Sequence, residues 1–390
     1  MRMIKNEFHS FFLGRCPEGM ILIGAPLIFV LLFGAVYLPN HVEHIPMIVY
    51  DEDQSPLSRS LIQAYNDSDT FAVTAYASDQ EEWKSRLDSG EILSGISIPK
   101  NFSEDIKEGN GSSVLMEVNS SNNVFSSVVL TSASEINRTF GLGAAQKIME
   151  AEGMSSQTAL AAVNPVPIGV RILNNPINGY IPFILSGLLL NGLKIGLLLT
   201  ATPLLIKELK NPRYSSLSSL EVVAGKMIPC WCISLAAYMI AFAVMTTVFP
   251  IPCKGSLSEV LCLGAAYSFF VIAVLFLFSV CSPDPVFALQ LPLIYIMPGL
   301  LFSGITWPVF SMNEFARFFS SMLPLFYAAD NFRDIMLGGY APHLWEGIRS
   351  MILAGILTGS GAGIIFSLRR KQHHVHLEHH ETGNQTDFCS

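Results

Sequence analysis

One lysine is unusual because it lies inside an apolar segment. Lys194 occurs in the stretch LLLNGLKIGLLL, with Asn191 three residues before it. A lysine at the centre of a membrane helix costs at least about 2.5 kcal/mol on insertion, so its ammonium group is expected to face other helices or a hydrated path. The pattern indicates that Lys194 and Asn191 line a pathway or a subunit interface. A lysine that serves packing alone is the ordinary alternative.

A second group of charged residues comes late in the chain. Asp330, Arg333 and Asp334 have the spacing of residues on one face of a helix. Ion pairing that holds short helices together is the ordinary interpretation, and a contact in an outer gate is the more specific one. The acidic run at residues 51–53 lacks the spaced ligands of a calcium-binding loop, so we interpret it as the turn after a strand.

Motifs for catalysis and for nucleotide binding are missing from the sequence. It contains no GxxxxGK[ST] stretch, the glycine-rich loop that holds nucleotide phosphates. The seven cysteines do not form a CxxC pattern, and the histidine-rich tail at residues 369–390 has the composition of a flexible, incidental segment. We therefore expect that the chain is not an enzyme and that it holds no metal and no cofactor.

The composition is that of a membrane protein. Hydrophobic residues make up 51% of the 390 residues and charged residues only 14%, whereas soluble domains carry about 25% charged residues. The charge is also uneven, because residues 41–177 contain 18 Asp and Glu but only 8 Lys and Arg, a net charge of −10. The chain therefore combines an acidic, water-soluble block with nearly neutral apolar segments.

The apolar segments predict an α-helical polytopic membrane protein with six transmembrane helices. About 20 helical residues are needed to cross the hydrocarbon layer. Residues 1–19 read as a cytoplasmic interfacial helix, with Ile4, Phe8, Phe11 and Phe12 on one face. The expected transmembrane helices are Met20–Leu38, Tyr180–Ile206, Met227–Phe249, Val260–Val280, Val286–Ile305 and Ile348–Leu368.

The acidic block between the first two helices alternates strand and helix patterns. Short runs rich in β-branched and aromatic residues, such as PMIVYD and FAVTAYA, indicate strands. Ser55 before Pro56 and Asp79 before two glutamates are typical helix starts. We therefore predict a separate α/β domain over residues 41–177, inserted between transmembrane helices 1 and 2.

Basic residues predict the orientation in the membrane. Lys207, Lys210 and Arg213 follow the second helix, and Arg369 and Arg370 follow the last. Because cytoplasmic loops carry the excess of Lys and Arg, these loops and both termini are expected in the cytoplasm. The α/β domain then lies outside the cytoplasm. The segment at about 306–345 is too polar for one span, and we expect outer re-entrant helices within the domain of residues 178–368.

Three stretches resemble the permease subunits of ABC-2 type ABC transporters, also called type V exporters. IPMIVYDEDQSPLSRSLIQAY is similar to that family's first strand and helix, and SGEILSGISIPKNFSEDIKEG to its next recurrent stretch. LPLFYAADNFRDIMLGG resembles the segment before the last transmembrane helix. The resemblance covers nearly the whole chain and occurs in the right order.

The resemblance implies a bacterial inner-membrane permease that couples a separate ATPase to efflux of a hydrophobic or amphipathic substrate. In this family a cytoplasmic loop after the second helix docks on the ATPase. Lys207, Glu208 and Lys210 match that loop, whereas Arg213 is among the residues that replace the family's Gly-Thr, and all four are expected in the coupling loop here. Implied partners are ABC ATPase subunits that bind ATP and Mg²⁺, a second permease copy or a paralogue, a periplasmic adaptor protein and membrane lipid, but no nucleic acid.

A different function class fits part of the same pattern. A membrane receptor or assembly scaffold that does not transport would use the outer α/β domain for binding. Such receptors usually carry a cytoplasmic effector domain, and the sequence offers only short basic loops on that side. The transporter interpretation is therefore preferred, and the sequence does not identify the transported substrate.

Overall fold

The chain forms two compact units. The structure is a computed structural model that describes residues 2–13, 18–39, 41–167, 169–175, 179–249 and 251–386, with side chains to residue 372. One unit is His41–Arg171, and the other is formed by the chain before and after it. The histidine side chains of the tail, which were expected to hold no metal, lie outside the described residues.

The unit His41–Arg171 contains a four-stranded sheet with helices on both faces. The strand order is β2-β1-β3-β4, with β1 parallel to β2 and β3 and with β4 antiparallel to β3. The elements are β1 Ile45–Asp51, α3 Pro56–Asn66, β2 Phe71–Tyr76, α4 Gln80–Asp88, β3 Ser94–Ile98, α5 Phe102–Lys107, β4 Leu115–Val118, α6 Asn123–Ala151 and α7 Ser156–Val163.

Alternation along β1 divides the core of this unit between the two faces of the sheet. Met47 and Val49 are buried on one face against α3, α5 and α6, and Ile48 is buried on the other against Trp83 of α4. Successive side chains of a strand point to opposite faces, so a fully apolar strand is expected where helices cover both. Gly95 makes room for this packing, because a Cβ there would lie 2.8 Å from Trp83 Nε1.

The second unit is a helical bundle. Among the described residues, five of its helices are long and apolar enough to cross a membrane. The elements are α1 Arg2–Leu13, α2 Glu18–Val36, α8 Tyr180–Ala201, α9 Pro203–Lys210, α10 Ser219–Val248, α11 Leu257–Cys281, α12 Pro285–Ile296, a 3-10 turn Met297–Gly299, a 3-10 turn Val309–Ser311, α13 Glu314–Ser321, α14 Pro324–Gly338 and α15 Leu344–Thr386.

The segment expected to span at Val286–Ile305 differs from the other five. Helix α12 has 12 residues and contains Pro292, and it passes into a 3-10 turn that contains Pro298. A helix of that length is about 18 Å long, which is shorter than the hydrocarbon layer. Proline removes a backbone donor and ends regular helix, so hydropathy alone overestimated the length of this helix.

Helix α1 buries a face that its apolar residues do not predict. Met3, Glu7 and Phe11 are buried, whereas Ile4 and Phe8 are only partly covered and Phe12 is 44% exposed. The face predicted from the sequence comprised Ile4, Phe8, Phe11 and Phe12, and of these Phe11 is the one that is fully buried. Glu7 can be buried because its carboxylate forms an ion pair with a lysine of another helix, as described below.

Contacts between helix ends divide the bundle into two ends. At one end, called the α9 end, Glu18 at the start of α2 pairs with Lys207, and Ser279 near the end of α11 accepts a hydrogen bond from the backbone N–H of Ile206 at 3.0 Å. At the other, called the α14 end, the ring centroids of Tyr37 and Tyr180 lie 4.9 Å apart. There Lys254 also donates its backbone N–H to Met336 of α14 at 3.0 Å.

The sheet core gives a first testable prediction. Ile96 of β3 is fully buried, so Ile96→Ala should lower the free energy of unfolding of this unit by about 2–5 kcal/mol through lost burial and a residual cavity. The measurement is pulse proteolysis of the full-length protein in urea, following cleavage between residues 41 and 171. Leu115→Ala, at a 52% exposed position of the same sheet, is the control and should change stability by less than about 0.5 kcal/mol. Equal effects of the two variants would contradict this core.

Candidate functional site

The α9 end holds a buried ion cluster built from three helices. The ammonium group of Lys226 in α10 lies 3.2 Å from Glu7 Oε1 of α1 and 3.2 Å from Glu208 Oε2 of α9. All three side chains are about 95% buried. Buried charges are tolerated only when they are paired, so each helix depends on the other two at this point.

Glu208 also organises the loop that follows α9. Its Oε1 atom accepts the backbone N–H groups of Arg213 and Tyr214, at 2.8 and 2.9 Å. The Tyr214 ring in turn lies 5.6 Å from the Lys226 ammonium, within cation–π distance. Burial, together with the neighbouring Glu7 carboxylate, raises the pKa of Tyr214 above its ordinary value. One carboxylate therefore joins the end of α9, the loop and the start of α10.

Local sequence signals position these side chains. Pro203 starts α9 directly after α8, and Ser218 forms a capping box with Glu221 at the start of α10, which sets the register of Lys226 two turns later. Gly225 lets α1 approach, because a Cβ there would lie 2.6 Å from Met3 Sδ. The cap at the start of α10 and the absence of a side chain at Gly225 therefore allow α1 and α10 to pack together.

Helix α15 holds the same region through two arginines. The guanidinium group of Arg370 donates to the carbonyl oxygens of Tyr214, Ser215 and Leu217, at 2.7–2.8 Å. That of Arg369 donates to the carbonyl oxygens of Val280 and Ser282 at the end of α11. A cation at a helix C-terminus interacts favourably with the helix dipole. The loop after α9 and the end of α11 are therefore tied to the same helix.

Two basic side chains of the same region point into solvent. Lys210 and Arg213 are exposed, and within the part of the chain that the structure describes neither side chain has an ion pair or a hydrogen bond. Lys207 differs, since its ammonium group pairs with Glu18 of α2 at 2.9 Å while remaining 54% exposed. The α9 region thus presents free positive charge on a backbone that is fixed from inside.

The four residues expected in this loop have different environments. Glu208 is buried in the ion cluster, Lys207 is paired, and only Lys210 and Arg213 are free. Neither Glu7 nor Lys226 was among the site residues predicted from the sequence. The available signal was a lone acidic residue in an amphipathic helix, on the stripe that also contains Met3 and Phe11.

Lys194 lies in the interior of the bundle, 3% exposed. Its Nζ donates to the backbone carbonyl oxygen of Ile296, the last residue of α12, at 2.9 Å. A Cβ added at Gly299 would lie 3.0 Å from the same nitrogen atom. Asn191, which is half-buried, has no hydrogen-bonding partner among the described residues. Lys194 and Asn191, three residues apart on α8, therefore differ in their contacts within the described part of the chain.

The late charged group lies at the α14 end. Arg333 pairs with Asp330 at 2.9 Å, and its guanidinium group lies 5.1 Å from the centre of the Phe183 ring of α8. Burial raises the pKa of Asp330, and the positive charge of Arg333 opposes that shift. Asp334 has no ion pair in the described part of the chain, and burial raises its pKa as well. Asp330 faces Gly304, whose φ of +90° and closeness to the carboxylate leave no room for a Cβ.

Comparison with known proteins places this architecture in a family. The family described as ABC-2 family transporter protein matches residues 19–364. The chain belongs to this family. It is similar to the probable multidrug ABC transporter permease YbhR of Escherichia coli (strain K12), with 20% identity over 376 residues, 95% of this chain and 98% of the relative. It is also similar to ABC transporter G family member 20 of Dictyostelium discoideum, with 24% identity over 208 residues, 52% of this chain and 28% of that protein.

Membership in the ABC-2 family agrees with the apolar helices. The chain is a multi-pass membrane protein and the membrane subunit of a transporter. Subunits of this kind work with an ATPase. The ion cluster lies between α9 and α10, in the region where the family resemblance predicts contact with the ATPase.

The ion cluster gives a second prediction. Lys226→Met leaves Glu7 and Glu208 buried without a cation, so the free energy of unfolding of the bundle should fall by about 3–5 kcal/mol. Lys207→Met removes an exposed pair and should cost less than about 1 kcal/mol. The measurement is thermal unfolding of the purified protein in detergent. Similar losses in the two variants would show that Lys226 is not buried between two carboxylates.

Proposed function

We propose that this chain is the permease half of an ATP-driven exporter and that the α9 region is the dock for its ATPase. The free charges of Lys210 and Arg213, presented on a backbone held by the buried Lys226 cluster, carry this proposal. An ATPase surface with matching acidic residues would recognise the two side chains without disturbing the interior, because neither is used inside the bundle. Lys207 and Glu208 belong to the same dock through their structural contacts.

The cluster suggests how movement of the ATPase reaches the transmembrane helices. Glu208 is on α9, Lys226 on α10 and Glu7 on α1, and Arg370 connects the loop to α15. A displacement of α9 would have to move these helices with it or separate buried charges, and separation is the costlier outcome. The ATPase therefore drives the bundle as one body at this end, with ATP and Mg²⁺ bound by the partner.

Contacts between helix ends support a layout with six crossings. The end of α11 lies at the α9 end, whereas the end of α14 contacts the connection between α10 and α11 at the α14 end. The chain between residues 282 and 335 therefore returns from one end to the other, and α12 with the turns after it makes this broken crossing. The basic residues support a cytoplasmic location for the α9 end and both termini. Residues 41–177 are then extracytoplasmic, and the membrane is the bacterial inner membrane.

The outer end would act as the exit. Asp330 and Arg333 hold α14 against Gly304 and α8, and Asp334 adds a carboxylate nearby. This arrangement suits a gate that opens when the segment after α12 moves away from α14. The exported substrate is hydrophobic or amphipathic, which is supported by the multidrug name of the Escherichia coli relative. The complete exporter would contain two ATPase subunits, a second permease copy or paralogue, surrounding lipid and, in a double-membraned cell, a periplasmic adaptor protein.

The dock is tested by reversing its free charges. Lys210→Glu combined with Arg213→Glu should reduce the amount of ATPase that co-purifies by at least about tenfold, because two exposed cations become anions at the contact. The folded permease should keep its thermal midpoint, since neither side chain has a partner inside it. Lys100→Glu combined with Lys107→Glu, in the α/β unit, is the matched control. If ATPase recovery stays at the wild-type level, the dock lies elsewhere.

The orientation is tested on intact spheroplasts. Single cysteines at exposed positions 76 and 210, in a background without the native cysteines, should react differently with a thiol reagent that cannot cross the membrane. Position 76 should label at once, and position 210 only after the membrane is made permeable. Labelling of position 210 in intact cells, or protection of position 76, would reverse the proposed topology. A non-transporting scaffold would keep the topology but lose ATPase co-purification, which separates the two functions.

A further inference from the structure

The irregular segment after α12 interrupts the backbone hydrogen bonding of the helix, and Lys194 donates a hydrogen bond at this break. Helix α12 passes into a 3-10 turn that contains Pro298, whose nitrogen has no N–H, so the regular backbone hydrogen bonding of the helix is interrupted there. Within a membrane protein, backbone of this kind is tolerated only where other groups satisfy it. Here the segment lies along α8, because Gly187 of α8 is packed against Ile305 and Lys194, two turns further along the same helix, reaches Ile296.

Side chains satisfy the carbonyl groups across this break one after another. Lys194 donates to Ile296 at 2.9 Å, Ser303 donates to Leu300 at 2.6 Å, and Thr306 donates to Leu301 at 3.0 Å. The two hydroxyl groups belong to the irregular segment itself. Lys194 is therefore the donor in this series that comes from another helix.

The environment of the Lys194 ammonium group indicates what it is for. No carboxylate pairs with it in the described part of the chain, and its hydrogen bond goes to the C-terminal end of a helix, where the dipole places negative partial charge. In transporters with broken helices, such C-terminal ends bind cations. Gly299 provides space for the ammonium group at this end.

We propose that Lys194 is a built-in hydrogen-bond donor that caps the broken helix α12 and fixes the segment 297–306 against α8. In this role it is a positioning residue and does not contact the transported substrate. The inference rests on the proposed exporter function, because the segment it holds leads to the outer gate at Gly304. The inference gives Lys194 a backbone partner and the role of holding this segment in place, instead of a contact in a transport pathway or a subunit interface.

The test is hydrogen–deuterium exchange of the full-length protein in nanodiscs. Lys194→Met keeps the length of the side chain and removes its donors, so amides of residues 297–303 should exchange at least about tenfold faster than in the wild type, as expected for the loss of a charged hydrogen bond. Lys194→Arg keeps charge and donors and should restore most of the protection. Asn191→Leu, one turn earlier on α8, is the matched control and should leave the segment unchanged.

Each outcome has a clear meaning. Unchanged exchange in Lys194→Met, failure of Lys194→Arg to restore protection, or an equal effect of Asn191→Leu would overturn the proposal. The measurement needs neither substrate nor ATPase, so its result is independent of the docking experiment. If no ATPase co-purified with the wild-type chain while the Lys194 variants behaved as expected, the exporter function would be removed and the cap would remain in place.

Discussion

The cytoplasmic half of the proposed mechanism depends on one buried ammonium group. Lys226 is shared by two carboxylates from helices that come at very different points of the chain, and none of the three groups has enough solvent to remain charged alone. The pairing therefore acts as a constraint rather than as a large source of stability. It requires α1, α9 and α10 to keep one mutual geometry while the outward side of α9 remains free to bind.

The two ends of the bundle use charge differently. At the α9 end, buried ions and arginine–carbonyl contacts produce a rigid attachment, because breaking any one of them leaves an unsatisfied group inside the protein. At the α14 end, the pair of Asp330 and Arg333 is partly exposed and the pKa of the carboxyl group is raised by burial. Such a pair is worth less and separates more easily. Rigidity at one end and a weaker contact at the other suit a machine driven from the first and opened at the second.

Two lysines of the bundle show how partner type decides role. Lys226 meets carboxylates and joins three helices, whereas Lys194 meets a backbone carbonyl and caps one interrupted helix. Both are almost completely buried, and hydropathy treats them alike. Lys226 lies beside the end of α9 and the loop that follows it, and Lys194 lies beside the break after α12.

The amino-acid sequence by itself determined the membrane class, five of the long apolar helices, the strand positions of the α/β unit and the family, because these depend on local composition and on period. It also grouped Glu208, Lys210 and Arg213 after the second apolar segment, where the structure has the end of α9 and the loop that follows it. Only the tertiary structure showed that Glu7 pairs with Lys226, 219 residues away, and that Lys194 donates a hydrogen bond to the carbonyl oxygen of Ile296. It also showed that α12 is too short to span the membrane by itself. The physical reason is that a charged residue in an apolar segment, with its cost of burial, can be recognised from the sequence alone. The group that compensates this charge comes from another helix, and only packing fixes which group that is.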